Sequence, residues 1–172
     1  MMLSLACRSV SGTTHSPLYN RIFLDAPGTF RGNELGTDIQ QVPKIEVADP
    51  KHEDKLGLTY EVDLGKERKM LLDYFSDNLK TERESNRLAS IIANILLEDE
   101  VEAAKLYNEI QLVCNNRYRL ASGVYGNYLW QSSNDFTSSI EVRLKLNEDK
   151  KGLTISFIDT EIRRNPEGQP TD

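Results

Sequence analysis

Between Leu56 and Leu64 the apolar residues Leu56, Leu58, Tyr60, Val62 and Leu64 alternate without a break with Gly57, Thr59, Glu61 and Asp63. A period of two puts the apolar side chains on one side of an extended strand and the polar ones on the other, which a helix cannot do. Such a strand is buried on one face and wet on the other, so it belongs to a sheet with something packed against a single side. Gly65 ends it. The alternation returns in Ile140-Glu141-Val142-Arg143-Leu144-Lys145-Leu146. A further apolar stretch, Leu153 to Ile162, follows across the turn-rich Asn147 to Gly152, and the two read as a hairpin.

The middle of the chain carries a different period. Met70, Leu71, Tyr74, Phe75 and Leu79 recur at spacings of one and four, and Leu88, Ile91, Ile92, Ile95 and Leu96 repeat the pattern. Both predict helices, with Lys80 to Ser85 as either a solvated turn of one long helix or the joint between two. Val101, Ala104, Leu106, Ile110, Val113 and Cys114 form a third stripe. Glu98-Asp99-Glu100 stands at its start, where a helix dipole favours negative charge.

Arg8 to Asp54 is rich in Gly, Pro, Ser, Thr and Asp, with short apolar pieces such as Ile22-Phe23-Leu24 and Ile45-Glu46-Val47 between turn signals. It reads as irregular β material. Met1 to Arg8 reads as a first strand or an arm, because its apolar run is too short for a signal peptide and its positive charge follows that run. The expected organisation is one domain over 1–172: a β-rich arm at 1–54, a strand-helices-hairpin core at 55–162 and a flexible tail at 163–172. The expected fold class is α+β, an antiparallel sheet with two or three helices on one face, of the RNA-recognition or ferredoxin-like kind.

Acidic residues outnumber basic ones, 27 to 21, for a formal charge of -6. A chain so charged repels a nucleic-acid backbone unless its basic groups gather on one face, and it suits docking on a basic partner. Cys7 and Cys114 stand far apart with no CxxC pair, which points to reduced thiols in a cytosol. No run approaches the roughly 20 apolar residues of a spanning helix. A cytoplasmic, non-membrane protein is expected.

Enzymatic signatures are missing: there is no GxGxxG, GxxxxGK[ST], HExxH or GxSxG. His15 and His52 fall in loop-like segments and read as surface residues. Asp135 with Glu148-Asp149-Lys150 resembles the acidic pair and lysine of a metal nuclease, but Glu148 to Lys150 sit in a hairpin turn and read as a charged solvated loop. No catalysis, metal or cofactor is expected.

Gly126-Asn127-Tyr128-Leu129-Trp130 holds the only tryptophan. An aromatic pair around a leucine supplies either a core anchor or a platform for stacking a base. Arg117 and Arg119 straddle Tyr118 just upstream, and Arg21 and Arg31 punctuate the first half. A groove lined by such arginines beside Tyr128 or Trp130 would hold single-stranded nucleic acid. The alternative is that both rings are core and the arginines pair with carboxylates.

The order RYRLASGVYGNYLWQSSNDFTSSIEVRL, with Arg117-Tyr118, Gly126, Tyr128-Leu129-Trp130 and Ile140-Glu141-Val142-Arg143, resembles a region of the backbone subunit of type I-F CRISPR surveillance complexes. Upstream, Arg31-Gly32, Ile39-Gln40, Val47-Ala48 and Leu56 to Leu64 are similar to that family's Arg-Gly step, Ile-Gln segment and first long strand. The likeness reaches about half the chain. It implies an RNA-recognition-like palm that packs beside copies of itself along a CRISPR RNA, gripping its backbone without catalysis. Arg31, Arg117 and Trp130 are the positions it implies as RNA-facing or subunit-facing. Two features depart from the family: the chain is about half as long, and Gln131 to Asp135 replace basic residues.

The expected function is a non-catalytic CRISPR-associated protein that binds CRISPR RNA or packs against the surveillance complex, with Arg31, Arg117, Arg119, Tyr128 and Trp130 as contact residues. The second expectation is a shortened acidic mimic of that subunit, an anti-CRISPR inhibitor acting by protein docking. The third is a phage or bacterial interaction module without a CRISPR link.

Overall fold

A computed structural model describes residues 14–24, 26–46, 48–54, 56–77, 86–132 and 140–164. Two short helices come first, α1 (Pro17–Phe23) and, after a 3-10 turn at Ile39–Gln41, α2 (Val42–Ile45). Strands β1 (His52–Glu53), β2 (Gly57–Gly65), β3 (Arg68–Ser76) and β4 (Leu88–Leu96) precede the long helix α3 (Glu100–Arg117). Strands β5 (Arg119–Val124), β6 (Asn127–Gln131), β7 (Ile140–Leu146) and β8 (Gly152–Asp159) follow, and α4 (Thr160–Arg164) closes the described chain.

The eight strands form a single antiparallel sheet in the order β1-β2-β3-β4-β8-β7-β6-β5. Two meanders therefore meet at β4 and β8, and α3 carries the chain from the middle of the sheet to its far edge. The period-two logic of β2 extends across the sheet. Tyr60, Leu72, Ala93, Ile155, Leu144 and Tyr128 lie in one cross-strand row on the covered side. The adjacent row, Glu61, Leu71, Asn94, Thr154, Lys145 and Asn127, points the other way and is half-buried or exposed throughout.

The covered side receives α3 against β6, β7 and β8, while α1 bridges α3 and β2. Ala103, Leu106, Tyr107, Ile110 and Cys114 of α3 enter one buried cluster with the strands. Tyr19, Ile22, Phe30, Ile39 and Val42 from the first part of the chain join the same cluster. The start of α3 follows the sequence expectation. Asp99 caps it by accepting the Glu102 N–H at 2.8 Å, with Glu100 and Glu102 in the first turn.

The expected ferredoxin-like class with two or three helices is corrected by this architecture. The segments read as helices from near Lys66 and over Leu88 to Leu96 form strands β3, which runs to Ser76, and β4, while Leu79 lies outside the described residues; α3 alone of the expected helices forms. The reason is visible in the side chains. β3 buries Met70, Leu72, Tyr74 and Ser76 on the covered side, while Leu71 and Phe75 stand half-buried on the other, so apolar residues on both faces imitate a helical spacing. In β4, Ile91, Ala93 and Ile95 are covered and Ile92 faces away. Branched residues at three of those four positions favour extended backbone.

The turn between β2 and β3 was also unreadable. Lys66 and Glu67 both have positive φ, 55° and 61°, the geometry of a two-residue hairpin turn usually made by Asn-Gly. What regular structure precedes Asp54 is helical more than β, amid loops: Ile22-Phe23 lies in α1 and Ile45 in α2, leaving the two-residue β1. The expected hairpin forms as β7 and β8, but its second strand stops at Asp159, and Ile162 with the first residues of the expected tail lies in α4. The expectations for Met1 to Arg8, for Lys80 to Ser85 and for the tail from residue 165 lie outside the described residues.

β2 crosses β3 so closely that a Cβ on Gly57 would sit 2.1 Å from the Tyr74 carbonyl oxygen. Gly57→Ala is expected to push the strands apart and cost about 1–3 kcal/mol, read as a lower melting temperature. An unchanged melting temperature would contradict the register of β2 on β3.

Candidate functional site

The site residues expected from sequence divide into three situations. Trp130 on β6 is fully covered, at 0% exposure. Its indole Nε1 donates to Asn115 Oδ1 of α3 at 2.8 Å, and its ring stacks on Tyr128 at 5.4 Å between centroids, with planes 23° apart. The described conformation therefore offers no indole face to a base. Tyr128 is half-buried and lies against Gly123 of β5, where a Cβ would fall 2.2 Å from the ring.

Arg31 is also inside, at 8% exposure. It occupies a two-residue turn with Gly32, both at positive φ, closed by paired backbone hydrogen bonds between Phe30 and Asn33. From there its Nε donates to Glu46 Oε1 at 3.1 Å and its Nη2 to Glu46 Oε2 at 3.1 Å. Nη1 reaches the carbonyls of Arg21 and Ile22, each at 3.0 Å. The Tyr74 hydroxyl and Asn33 Nδ2 donate to the same Glu46 carboxylate. Burial and the Glu46 charge push the Tyr74 hydroxyl far above its ordinary pKa, so it stays a donor. The guanidinium is thus committed to an internal, hydrogen-bonded pair and is not free for phosphate.

Arg117 and Arg119 are the exposed ones. The Arg117 guanidinium lies 5.8 Å from the Tyr118 ring centroid at the end of α3. Arg119 opens β5, opposite Gln131. The structure brings Tyr128 and Trp130 together and holds Arg31 away from both, in a separate network with Glu46.

What the aromatics do is fasten a hairpin. Tyr107 of α3 touches both Tyr125, at 5.4 Å, and Tyr128, at 6.0 Å. The Tyr107 hydroxyl accepts the Gly126 N–H at 2.9 Å, and burial pushes that hydroxyl up to about 12. Tyr125, Tyr107, Tyr128 and Trp130 make a seam that ties the β5-β6 hairpin to α3. Gly126, at φ 91°, makes the tight turn that aims the Tyr125 side chain at the helix.

That leaves β5 as a fixed strand at the end of the sheet, and every one of its residues is exposed. Leu120 is 49% exposed and Val124 71%. From Leu120 to Gln131 the chain has no charged residue. The opposite edge differs: β1 has two residues, His52 and Glu53, flanked by Lys51 and Asp54. Short length and charge are two ways in which sheets protect an edge, whereas β5 is six residues long and carries one charge, Arg119, at its start. Sequence reasoning missed this strand because Arg119 to Val124 lacks the apolar-polar alternation of a half-buried strand; with all six residues exposed, there was nothing to alternate. The Tyr125-Gly126 turn was the one available signal.

Elsewhere the chemistry is quiet. His15 Nδ1 lies 3.3 Å from Glu109, which also accepts from the Ser16 backbone and hydroxyl at 2.7 Å each, joining α1 to α3. His52 pairs with Asp54 at the surface. Glu148 to Lys150 form the β7-β8 turn, and Asp135 lies outside the described residues. Burial pushes the Cys114 thiol up to about 12, so it is no nucleophile at neutral pH. Among the described residues no group of His, Cys, Asp or Glu is placed to hold a metal, and no helix is long and apolar enough to cross a membrane.

Trp130→Ala is expected to cost about 3–5 kcal/mol, because it empties a fully covered site. Glu46→Ala is expected to cost about 3–5 kcal/mol by leaving Arg31 buried and uncompensated. Chemical denaturation measures both, and a Trp130→Ala protein as stable as the parent would contradict the packing of the seam. Comparison with protein-family models, with curated proteins and with solved structures gives no match.

Proposed function

We propose that this chain is a non-catalytic interaction module that docks a polypeptide by strand addition along β5. The observation that carries the reading is the contrast between the two sheet edges, one short and charged, the other six residues long, exposed and uncharged beyond Arg119. The aromatic seam adds to it: a strand already held against α3 loses little freedom when a partner pairs with its outer side.

An RNA-gripping role has less support. It needs a stacking surface and free guanidinium groups, whereas Trp130 is covered and Arg31 is paired with Glu46. The formal charge of -6 works in the same direction. Of the roles suggested by the likeness to a type I-F backbone subunit, docking on surveillance-complex protein needs only a complementary surface, so it is the one compatible with this reading. A purified surveillance complex is therefore a fitting first partner to try.

The test is selection of binders from a random-peptide display library against the folded chain, followed by the single variants Leu120→Lys and Val124→Lys. Both positions are exposed, so stability should change by no more than about 0.5 kcal/mol. Selected peptides are expected to be extended, branched-residue sequences whose affinity falls about tenfold or more in either variant, a loss of about 1.4 kcal/mol. Peptides that bind both variants as well as the parent would sink the reading, as would tight RNA binding at moderate salt.

A further inference from the structure

We infer that the occupant of the β5 edge in solution is a second copy of this chain, related by a two-fold axis normal to the sheet and passing between Ala121 and Ser122. The inference rests on strand addition at β5 and names the partner at that same edge.

The argument is one of phase. Two antiparallel strands can pair only if residues directly opposite each other point to the same face. In a regular strand of six residues, faces alternate strictly, so full overlap of two copies about a two-fold axis sets the first residue against the sixth, on opposite faces. A regular six-residue edge is therefore out of phase with itself. β5 is not regular. Its pairing with β6 slips between Leu120 and Ser122, and Ala121 is the extra residue.

The slip resets the alternation. Leu120 opposite Trp130 and Gly123 opposite Tyr128 belong to the covered side, while Arg119 opposite Gln131 and Val124 opposite Asn127 belong to the other. With the axis between Ala121 and Ser122, Arg119 meets Val124 of the partner subunit and Leu120 meets Gly123 of the partner subunit. Each of these pairs shares a face. Moving the register by one residue sets Leu120 against Ser122 or Val124, both of which point to the opposite side.

The side-chain chemistry agrees with the phase. Gly123 has no side chain and carries the Tyr128 ring where a Cβ would lie, so Leu120 from the partner subunit comes to rest beside an aromatic ring. The sole charge on the strand, Arg119, is set against Val124 and not against its own copy. The pair is isologous and closes on itself, so it uses up both open edges and leaves the charged β1 edges outermost. That separates it from an open stack of copies, which an unprotected edge would otherwise allow.

Sedimentation or light scattering of the full chain tests it. The expected mass is twice the 19.6 kDa of the chain, falling to a single copy in Leu120→Lys and in Val124→Lys while each variant melts like the parent. A register check uses Ala121→Cys and Ser122→Cys, each in a Cys7→Ser background. An equal mixture of the two is expected to form an intermolecular disulfide more readily than either alone, because only unlike positions face each other. A single-copy mass at every concentration overturns the inference while leaving peptide docking at β5 to be judged by the peptide selection. A doubled mass that survives both lysine variants overturns it by placing the contact elsewhere, and a polydisperse mass overturns it in favour of open-ended association.

Discussion

The covering of Trp130 by α3 is the contact on which the second half of this structure depends. A fully buried indole, bonded to Asn115 and stacked on Tyr128, fixes β6 to the helix. Through Tyr128 and Tyr107 it also fixes β5, which has no buried residue of its own to hold it. Burial of aromatic area is the largest single stabilising contribution available to so short a hairpin. Without it β5 and β6 would be held to the rest of the sheet only by ladder hydrogen bonds, and a hairpin without packing is marginal in water.

The first half is organised around a different kind of interaction. Arg31 and Glu46 bury opposite charges in the same pocket, with Tyr74 and Asn33 completing the hydrogen bonds. A buried pair of this sort adds little net stability against an apolar replacement, but it tolerates only one arrangement of its partners. The segment from Phe30 to Glu46 is thereby tied to β3, beside the buried Phe30, Ile39 and Val42. Arg31, one of the residues expected to contact RNA or a partner, is used by the fold for itself.

Legibility in the sequence followed burial. β2, β7 and β8 were readable because each is apolar on one side and polar on the other, and α3 because Leu106, Ile110 and Cys114 share a buried face, although Val101 of its expected stripe is exposed. β3 and β4 were not, because Leu71, Phe75 and Ile92 put apolar groups on the face turned away from α3 as well, and two interleaved stripes on a strand reproduce helical spacings. β5 failed for the converse reason, having no buried side. The aromatic pair stood out in the sequence, but an apolar ring with a polar handle suits a core and a binding surface equally. Which one it serves is set by α3, eleven or more residues upstream in sequence and adjacent only in space.

The docking role proposed for this chain rests on which backbone groups the fold leaves unpaired. Once the rings are inside and Arg31 is paired, the outer row of backbone donors and acceptors on β5 is left to solvent and open to a pairing strand. The most direct measurement is the fluorescence of the native protein, since its one tryptophan reports on the seam without ambiguity. The account predicts blue-shifted emission that acrylamide and iodide quench only weakly until the chain unfolds. Red-shifted emission with quenching close to that of a free indole in water would contradict it, because the ring would then be at the surface and the edge strand would have lost its anchor.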